Sequence, residues 1–434
     1  MQFVNVAISD HFIDDMSVDI TGNSLVSLYE AMNTKRFGLN NPAPQSVRKQ
    51  KMIDYSKRIR NKGAKLYVDS GGYSIITGRV NFQDIEEYEE YYQEFLEKDS
   101  EHYDYIFSLD IPYGIEDEKL KDRQVLHAFN YRVLNRSFDA ISRNPALKEK
   151  FIFIYHFRML DLWEVWQKLY SELDIGKKVI HRAIGGMVGL KGMNRHIDYS
   201  GFTFIIFRLF YDFMQSGIEP EEFKIHLLGV SHPIERLMIT IIEKALNNVM
   251  DNSNQKTKIT FTYDSLSYSY DAWKKFNKMN YWDFNGKLSS FKLGAVPPQV
   301  MSSVYQANSA QAQSEIQNHQ AGLDLNKSSI FVPLSIYSQT QLDKFFMFLV
   351  DDLNIIKRMN INNQIPLTQQ FYDQIADIRD DMFQSYKPFF QNYSEARVES
   401  ELKMVAGLIN WLAYLNDPVR LETATRNYIE KLRT

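Results

Sequence analysis

Residues 68–74 read VDSGGYS, and they end a short apolar run that starts at residue 64. A run this short, closed by an acid, a serine and two glycines, predicts a buried strand that opens into a tight loop. Glycines let the backbone turn sharply and let a flat ligand approach the main chain. Ordinary turns use the same residues, so a functional interpretation depends on whether the pattern recurs along the chain.

The pattern does recur, as short apolar runs that lack a helical period and end in turn residues. The predicted strands are residues 3–8, 65–68, 105–109, 151–155, 179–184, 224–228, 259–263 and a weaker eighth at 290–293. Patterns with a helical period separate them. These predicted helices are residues 85–98, 121–142, 160–173, 202–216 and 233–250.

A strand followed by a helix, repeated about eight times, indicates an α/β protein with a parallel sheet. We predict a (β/α)8 TIM barrel over residues 1–296, because that fold takes about 250 residues plus insertions. A doubly wound open sheet is the alternative, but no glycine-rich nucleotide-binding motif favours it. Residues 297–329, rich in Gln, Ser and Asn, are predicted to be a polar linker or loop, and residues 330–434 a helical C-terminal region.

Composition limits the classes of function. The chain has 434 residues, a net charge of -4 and no cysteine, which excludes disulfides and thiolate metal sites and fits a reducing compartment. No signal-peptide pattern and no apolar run long enough to cross a membrane is present, so we expect a cytoplasmic protein. With a negative total charge, any binding site for a polyanion must be a local patch.

Acids, a histidine and glycines follow the predicted strands, and the carboxyl ends of barrel strands share one face. The residues at these ends are Asp10, Asp69, Asp110, His156, Gly185 with Gly186, Gly229 and Asp264. Turn formation explains two or three of them. A glycine-lined slot flanked by carboxylates suits a flat heterocycle with paired N–H donors, such as guanine, on which Tyr73 can stack.

Five motifs in this order, VDSGGYS, SLDIPYG, AIGGMVG, HLLGVSHP and FTYDSLS, resemble those of the guanine transglycosylases. The resemblance covers about residues 60–295. It implies a TIM-barrel enzyme that exchanges guanine in nucleic acid for a 7-deazaguanine base. The best-known members act on tRNA, and relatives in bacteria and bacteriophages act on DNA.

The resemblance also implies roles for individual residues. Asp264 matches the nucleophile, and Asp69 matches the general acid/base beside the leaving guanine. The expected base-binding residues are Ser70, Gly71, Tyr73, Asp110, His156, Gly185, Gly186, Leu228 and Gly229. Attack by a carboxylate on the sugar followed by attack of the second base gives net retention, for which a separation of about 5–5.5 Å between the two carboxyl groups is expected.

Two departures from the tRNA enzymes shape the prediction. His156 stands where those enzymes have glutamine, which indicates a different replacement base. The chain also lacks the cysteines of their zinc subdomain, which favours DNA as the substrate and predicts no metal and no cofactor. The alternatives are a zinc-less tRNA enzyme, an inactive barrel that only binds nucleic acid, and a barrel hydrolase in which water attacks. The oligomeric state stays open.

Two basic stretches, residues 48–65 and 273–292, are candidates for contact with nucleic acid. The expected nucleic-acid-binding residues are Lys57, Arg58, Arg60, Lys62, Arg195, His232, Lys274 and Lys275. The alternative for each stretch is an amphipathic helix with a solvated face. His232 can instead cap the following helix, while His181 and His226 are interpreted as core residues.

Overall fold

A closed barrel of eight parallel strands forms the centre of the molecule. This computed structural model describes residues 1–5, 16–17, 22–29, 44–72, 85–111, 123–156, 160–185, 200–230, 232–264, 280–292, 295–305, 314 and 331–358, with isolated positions among residues 373–430. The barrel strands are β1 (Gln2–Asn5), β2 (Asn23–Ser27), β3 (Leu66–Asp69), β4 (Tyr105–Phe107), β5 (Phe151–His156), β6 (His181–Gly185), β7 (Glu222–Leu227) and β8 (Lys258–Asp264).

Helices alternate with the strands, which confirms the predicted TIM barrel. The described helices are α1 (Gln45–Asn61), α2 (Ile85–Lys98), α3 (Arg123–Arg143), α4 (Leu160–Glu172), α5 (Ile175–Lys178), α6 (Ser200–Gln215), α7 (Pro233–Asn252), α8 (Pro298–Val304), α9 (Phe331–Asp352) and α10 (Ile355–Arg358). Among the described residues, none of the helices is both long and apolar enough to span a membrane.

The barrel strands are buried on both faces, which is why the sequence shows them as continuous apolar runs. Inward side chains form one apolar cluster inside the barrel, named here the inner cluster. Its members are Val4, Leu25, Tyr67, Tyr105, Phe107, Ile152, Ile154 and Ala183. The alternate side chains point outward and pack under the helices, as Phe153 does against Trp166 of α4. Such filling makes the barrel interior a packed core rather than a pore.

The sequence analysis missed one barrel strand and wrongly placed another strand in the barrel. β2 reads NSLVS, and its flanking polar residues hide the strand because only Leu25 and Val26 are apolar. The predicted eighth strand at residues 290–293 lies outside the barrel. It overlaps β10 (Leu288–Phe291), which pairs antiparallel with β9 (Tyr281–Phe284) in a separate hairpin.

Helix α9, on the C-terminal side of the chain, packs against the β9–β10 hairpin and helix α7. Helix α9 packs on β9, where the Trp282 N–H donates to Ser338 Oγ over 2.8 Å. It also docks on α7 through the buried pair Arg236–Asp343. Helix α8, with Val300 buried, occupies the start of the segment predicted as a polar linker. The predicted boundary at residue 330 stays a prediction, while α9, which follows it, packs on α7 and β9.

The amino-terminal end of the barrel is closed by a polar cluster. Glu222 accepts hydrogen bonds from Lys224 Nζ at 3.0 Å and from Thr260 Oγ1 at 2.6 Å. Burial by itself would raise the pKa of Glu222, but Lys224 and the Thr260 hydroxyl outweigh it and lower the pKa to about 2. His181 accepts the Lys224 backbone N–H at 3.2 Å. Glu222, Lys224, Thr260 and His181 are thus joined by hydrogen bonds at this end of the barrel, and the predicted site residues lie at the other end.

Acid is expected to destabilise the fold through His181. Burial, aided by the charge of Lys224, lowers the pKa of His181 from 6.5 to about 3. The unfolded chain takes up this proton below pH 6.5 while the folded protein does not, so the free energy of unfolding falls between pH 6.5 and 3 by up to about 1.4 kcal/mol per pH unit. Urea denaturation across this range should show a flatter profile for His181→Gln. The partly exposed His102→Gln serves as the control and should keep the wild-type slope.

Candidate active site

Four of the predicted site residues occupy inward-facing positions where strands end. They are Asp69, His156, Gly185 and Asp264. The first three follow Tyr67, Ile154 and Ala183 of the inner cluster by two positions, and alternate residues of a strand point to the same side. The carboxyl ends of β3, β5, β6 and β8 therefore direct these residues toward one mouth of the barrel.

Asp264 is held from the barrel interior. Its Oδ1 accepts a hydrogen bond from His226 Nε2 at 3.1 Å and another from the Gly229 backbone N–H at 3.2 Å. Gly229 has φ +79°, a left-handed conformation that glycine adopts without strain. The Asp264 side chain keeps 13% of its surface exposed, whereas His226 keeps none. One oxygen of the Asp264 carboxylate is thus fixed by hydrogen bonds, and part of the side chain is exposed at the mouth of the barrel.

Asp69 lies at nearly the same height as Asp264. Asp264 of β8 is paired in register with Val4 of β1, and Asp69 of β3 is paired with Ser27 of β2. With the strand tilt and stagger of this fold, that register brings the two carboxylates to within about one residue of the same level along the barrel axis. Asp69 Oδ2 accepts the Gly71 N–H at 3.1 Å. The separation of about 5–5.5 Å between them stays a prediction.

Packing accounts for the glycine pair after β3. Gly71 has φ +87°, and a Cβ there would lie 2.6 Å from Tyr29 Cβ. At Gly72 a Cβ would lie 2.9 Å from the backbone carbonyl oxygen of Asp110. These contacts bring the β3 loop against the ends of β2 and β4. The glycines are needed for this close approach of chain to chain, and the approach of a flat ligand to them stays a prediction.

Two tyrosines of α2 donate hydrogen bonds to the backbone near this loop, one to the loop itself and one to the end of β4. The Tyr88 hydroxyl donates to the Ser70 carbonyl, and the Tyr92 hydroxyl donates to the Phe107 carbonyl at 2.7 Å. Burial raises the pKa of Tyr88 well above its ordinary value, and the charge of Asp69 raises it further, so its hydroxyl stays a donor. Ser70 itself is buried, and among the described residues its Oγ has no hydrogen-bond partner.

Asp110 and His156 form a buried pair. His156 Nε2 lies 2.5 Å from Asp110 Oδ2. Asn130 clamps the chain after Asp110, because its amide binds both the N–H and the carbonyl of Ile111 at 2.8 and 2.9 Å. An ionised Asp110 makes Nε2 the protonated ring nitrogen of His156. One oxygen of Asp110 therefore already accepts a hydrogen bond from His156, so a base that binds both oxygens either shares that oxygen with His156 or displaces it.

Gly185 is a glycine because the His156 ring lies against it, and Gly185→Ala tests this contact. The new methyl carbon would lie 2.4 Å from His156 Nδ1, so the ring must leave Asp110. We expect a loss of stability of about 1–3 kcal/mol, measured by urea denaturation. The double variant Gly185→Ala/His156→Ala removes the clash and should recover most of the stability. Equal stability of Gly185→Ala and wild type would contradict this packing.

The other predicted residues fall into two groups. Leu228 packs against the inner cluster, and Gly229 contacts Asp264. His232 caps α7: its Nδ1 accepts the Ile234 N–H at 3.4 Å, and its own N–H donates to Glu235 at 3.1 Å. This is the structural alternative considered for His232. Five residues lie outside the described part of the chain: Tyr73, Gly186, Arg195, Lys274 and Lys275.

The basic residues of the first stretch lie far from this mouth. Arg60 pairs at 3.2 Å with Asp104, whose other oxygen accepts the N–H of Leu66 at the start of β3. The last turn of α1, which carries Arg58 and Arg60, is therefore at the amino-terminal end of the strands, with Lys57 just before that turn and Lys62 directly after the helix. This end is opposite the mouth that holds Asp69 and Asp264, and contact of these four residues with nucleic acid stays a prediction.

His226 is the residue whose role the sequence analysis missed. It was interpreted as a satisfied core histidine, and it is satisfied, but one of its partners is Asp264. The sequence contains part of the signal. His226 and Thr262 each stand two residues before a predicted site residue, Leu228 or Asp264, so alternation points both into the barrel. That His226 lies opposite Thr262 follows only from the Cα pairing of β7 with β8.

Searches of other proteins give no family. No family model matches the chain, and no curated protein sequence matches it either. Within the described residues, no group of three or more His, Asp or Glu side chains is arranged to hold a metal ion. The site must therefore be interpreted from its own geometry.

Proposed function

We propose that the chain is a pentosyltransferase that exchanges guanine in DNA for a 7-deazaguanine base such as 7-cyano-7-deazaguanine. The observation that carries this proposal is the placement of Asp264. It is an inward carboxylate at the barrel mouth whose Oδ1 is bound by two N–H donors, nearly level with the carboxylate of Asp69. Two carboxylates at one mouth are the groups that glycosidic bond cleavage with retention requires.

The first half-reaction forms a covalent sugar–protein ester. Asp264 attacks the anomeric carbon of the nucleotide as the bond from that carbon to the guanine nitrogen breaks. The electrons of the broken bond go to the base, and Asp69 supplies the proton that this nitrogen needs. The transition state has oxocarbenium character, which the negative charge of Asp264 stabilises. Guanine then leaves as a neutral base.

The second half-reaction runs the same steps in reverse with another base. Asp69, now ionised, takes a proton from the incoming 7-deazaguanine nitrogen, which attacks the anomeric carbon and releases Asp264. A free 7-deazaguanine base is the co-substrate, and no cofactor takes part. In a duplex the target must be flipped out of the stack at a cost of a few kcal/mol.

The buried groups beside Asp69 suit a planar base with a polar edge. The Ser70 hydroxyl, which has no hydrogen-bond partner among the described residues, and Asp110 lie on the two loops that Gly72 brings together. Asp110 is paired there with His156 from the end of β5. A buried hydroxyl without a partner is unfavourable by about 1–3 kcal/mol, and a bound base can remove this penalty. Asp110 can then exchange His156 for N–H donors of the base.

Transfer of an isotope-labelled base tests the proposal. Duplex DNA, single-stranded DNA and tRNA are incubated separately with the protein and labelled 7-cyano-7-deazaguanine, and the nucleosides are analysed by mass spectrometry. We expect label in DNA together with one released guanine for each label. Label in tRNA alone would indicate a zinc-less tRNA enzyme instead. Guanine release without label would indicate a hydrolase, and binding without release an inactive barrel.

A further inference from the structure

A histidine sealed inside the barrel contacts the proposed nucleophile. His226 on β7 has no exposed surface, and its ring centre lies 5.8 Å from that of Tyr67 and 4.9 Å from that of Phe107. Both ring nitrogens nevertheless have polar partners. Nδ1 lies 2.9 Å from Thr262 Oγ1, and Nε2 lies 3.1 Å from Asp264 Oδ1.

These partners determine where the proton of the imidazole lies. An ionised carboxylate only accepts hydrogen bonds, so Nε2 carries the proton and donates to Asp264. Nδ1 is then an acceptor, and the hydroxyl of Thr262 donates to it. The proton positions are assigned from this hydrogen-bond network. The result is a chain of three side chains that ends at one oxygen of Asp264.

We propose that His226 is a positioning residue that fixes Asp264 for attack through Oδ2. The assignment rests on the proposed base exchange. His226 and the Gly229 N–H both bind Oδ1, on the side of the carboxylate that faces the barrel interior. Oδ2 is thereby left as the attacking oxygen, and rotation of the carboxylate would break two hydrogen bonds.

The same two hydrogen bonds serve both half-reactions. When Oδ2 bonds to the sugar, Oδ1 becomes the carbonyl oxygen of the ester and still accepts the N–H groups of His226 and Gly229. When the second base attacks, the negative charge that returns to Asp264 forms against donors that are already in place. Donors fixed in advance stabilise developing charge without reorganisation.

Three substitutions separate positioning from packing. His226→Phe keeps a ring of similar size between Tyr67 and Phe107 but removes both hydrogen bonds. His226→Gln restores an N–H donor near the position of Nε2. Thr262→Val keeps the shape of the partner residue and removes the hydroxyl. His181→Gln, at the opposite end of the barrel, is the matched control for loss of a buried histidine.

Steady-state exchange kinetics at pH 7.5 give the first measurement. We expect His226→Phe to lower kcat about 100-fold with little change in KM for the nucleic acid, His226→Gln to recover at least about a tenth of wild-type kcat, and Thr262→Val to fall between the two. His181→Gln should keep the wild-type kcat. If His226→Phe does not fold, wild-type kcat in Thr262→Val would overturn the proposal.

Crystal structures give a measurement that does not depend on exchange. The Asp264 carboxylate should keep its orientation in wild type and His226→Gln, and it should rotate or become disordered in His226→Phe. An unchanged Asp264 in His226→Phe would overturn the positioning role. Absence of exchange in wild type, with Asp264 reoriented in the variant, would instead reject the proposed function and leave the positioning established.

Discussion

Replacement of Asp264 by asparagine is expected to abolish base exchange without unfolding the protein. The amide oxygen of asparagine can still accept the N–H groups of His226 and Gly229, so the local structure is kept. The uncharged amide cannot attack the anomeric carbon. Loss of a nucleophile that acts through a covalent intermediate lowers kcat by at least about 10⁴-fold, which labelled-base transfer into DNA can measure.

A trapped adduct identifies the residue directly. Wild-type protein incubated with DNA and no replacement base, then denatured, should retain DNA in a covalent complex. Asp264→Asn should form none while binding DNA as wild type does. The exposed Asp251→Asn, at the end of α7, is the matched control and should form the adduct normally. An adduct of normal yield in Asp264→Asn would mean that another side chain attacks.

Much of the barrel and of its mouth could be predicted from the sequence because both depend on local patterns. The run before Asp69 and the run before Asp264 each end a strand, and alternation then fixes which side chains point inward. β2 was not predicted because it has only two apolar residues between polar ones. β10 was predicted as a strand but wrongly assigned to the barrel, because a short strand pattern does not show which strand it pairs with.

Other features depend on contacts between distant residues. No local pattern relates Gly185 to His156 or Gly72 to Asp110, so the reason for each glycine needs the folded chain. The position of Arg60 could have been predicted, however. It precedes β3 by a few residues, and a helix that leads into a barrel strand must end at the amino-terminal side, away from the site.

The largest effect on stability is expected at Arg236, which joins α7 to α9. Its side chain is fully buried and binds Asp343 at 2.5 Å, and Asp343 also accepts the Tyr263 hydroxyl at 2.9 Å. Burial raises the pKa of Asp343, and Arg236 opposes that rise. Arg236→Met leaves a buried carboxyl without its cation, which should lower the free energy of unfolding by about 3–5 kcal/mol.

The origin of this loss can be separated by a double variant and a control. Arg236→Met/Asp343→Asn removes the unpaired charge and keeps an acceptor for Tyr263, so it should recover at least about half of the loss measured by urea denaturation. The pair Lys244–Asp351 joins the same two helices, but its side chains are 24% and 67% exposed, so Lys244→Met should change stability by about 0–1 kcal/mol. Equal losses in Arg236→Met and Lys244→Met would contradict the argument.

The pH dependence of Arg236→Met provides a further check on the same pair. Without Arg236, the pKa of Asp343 in the folded protein rises further above its value in the unfolded chain. A carboxyl group with a raised folded pKa favours the folded state at low pH and loses this contribution as pH rises. The deficit of Arg236→Met relative to wild type should therefore shrink as pH falls. The stability of Arg236→Met should also rise relative to that of the double variant, which has no carboxyl group at residue 343 to titrate. Tyr263, which binds Asp343 of α9, directly precedes Asp264. Weaker packing of α9 in Arg236→Met should therefore also disturb Asp264 and reduce base exchange.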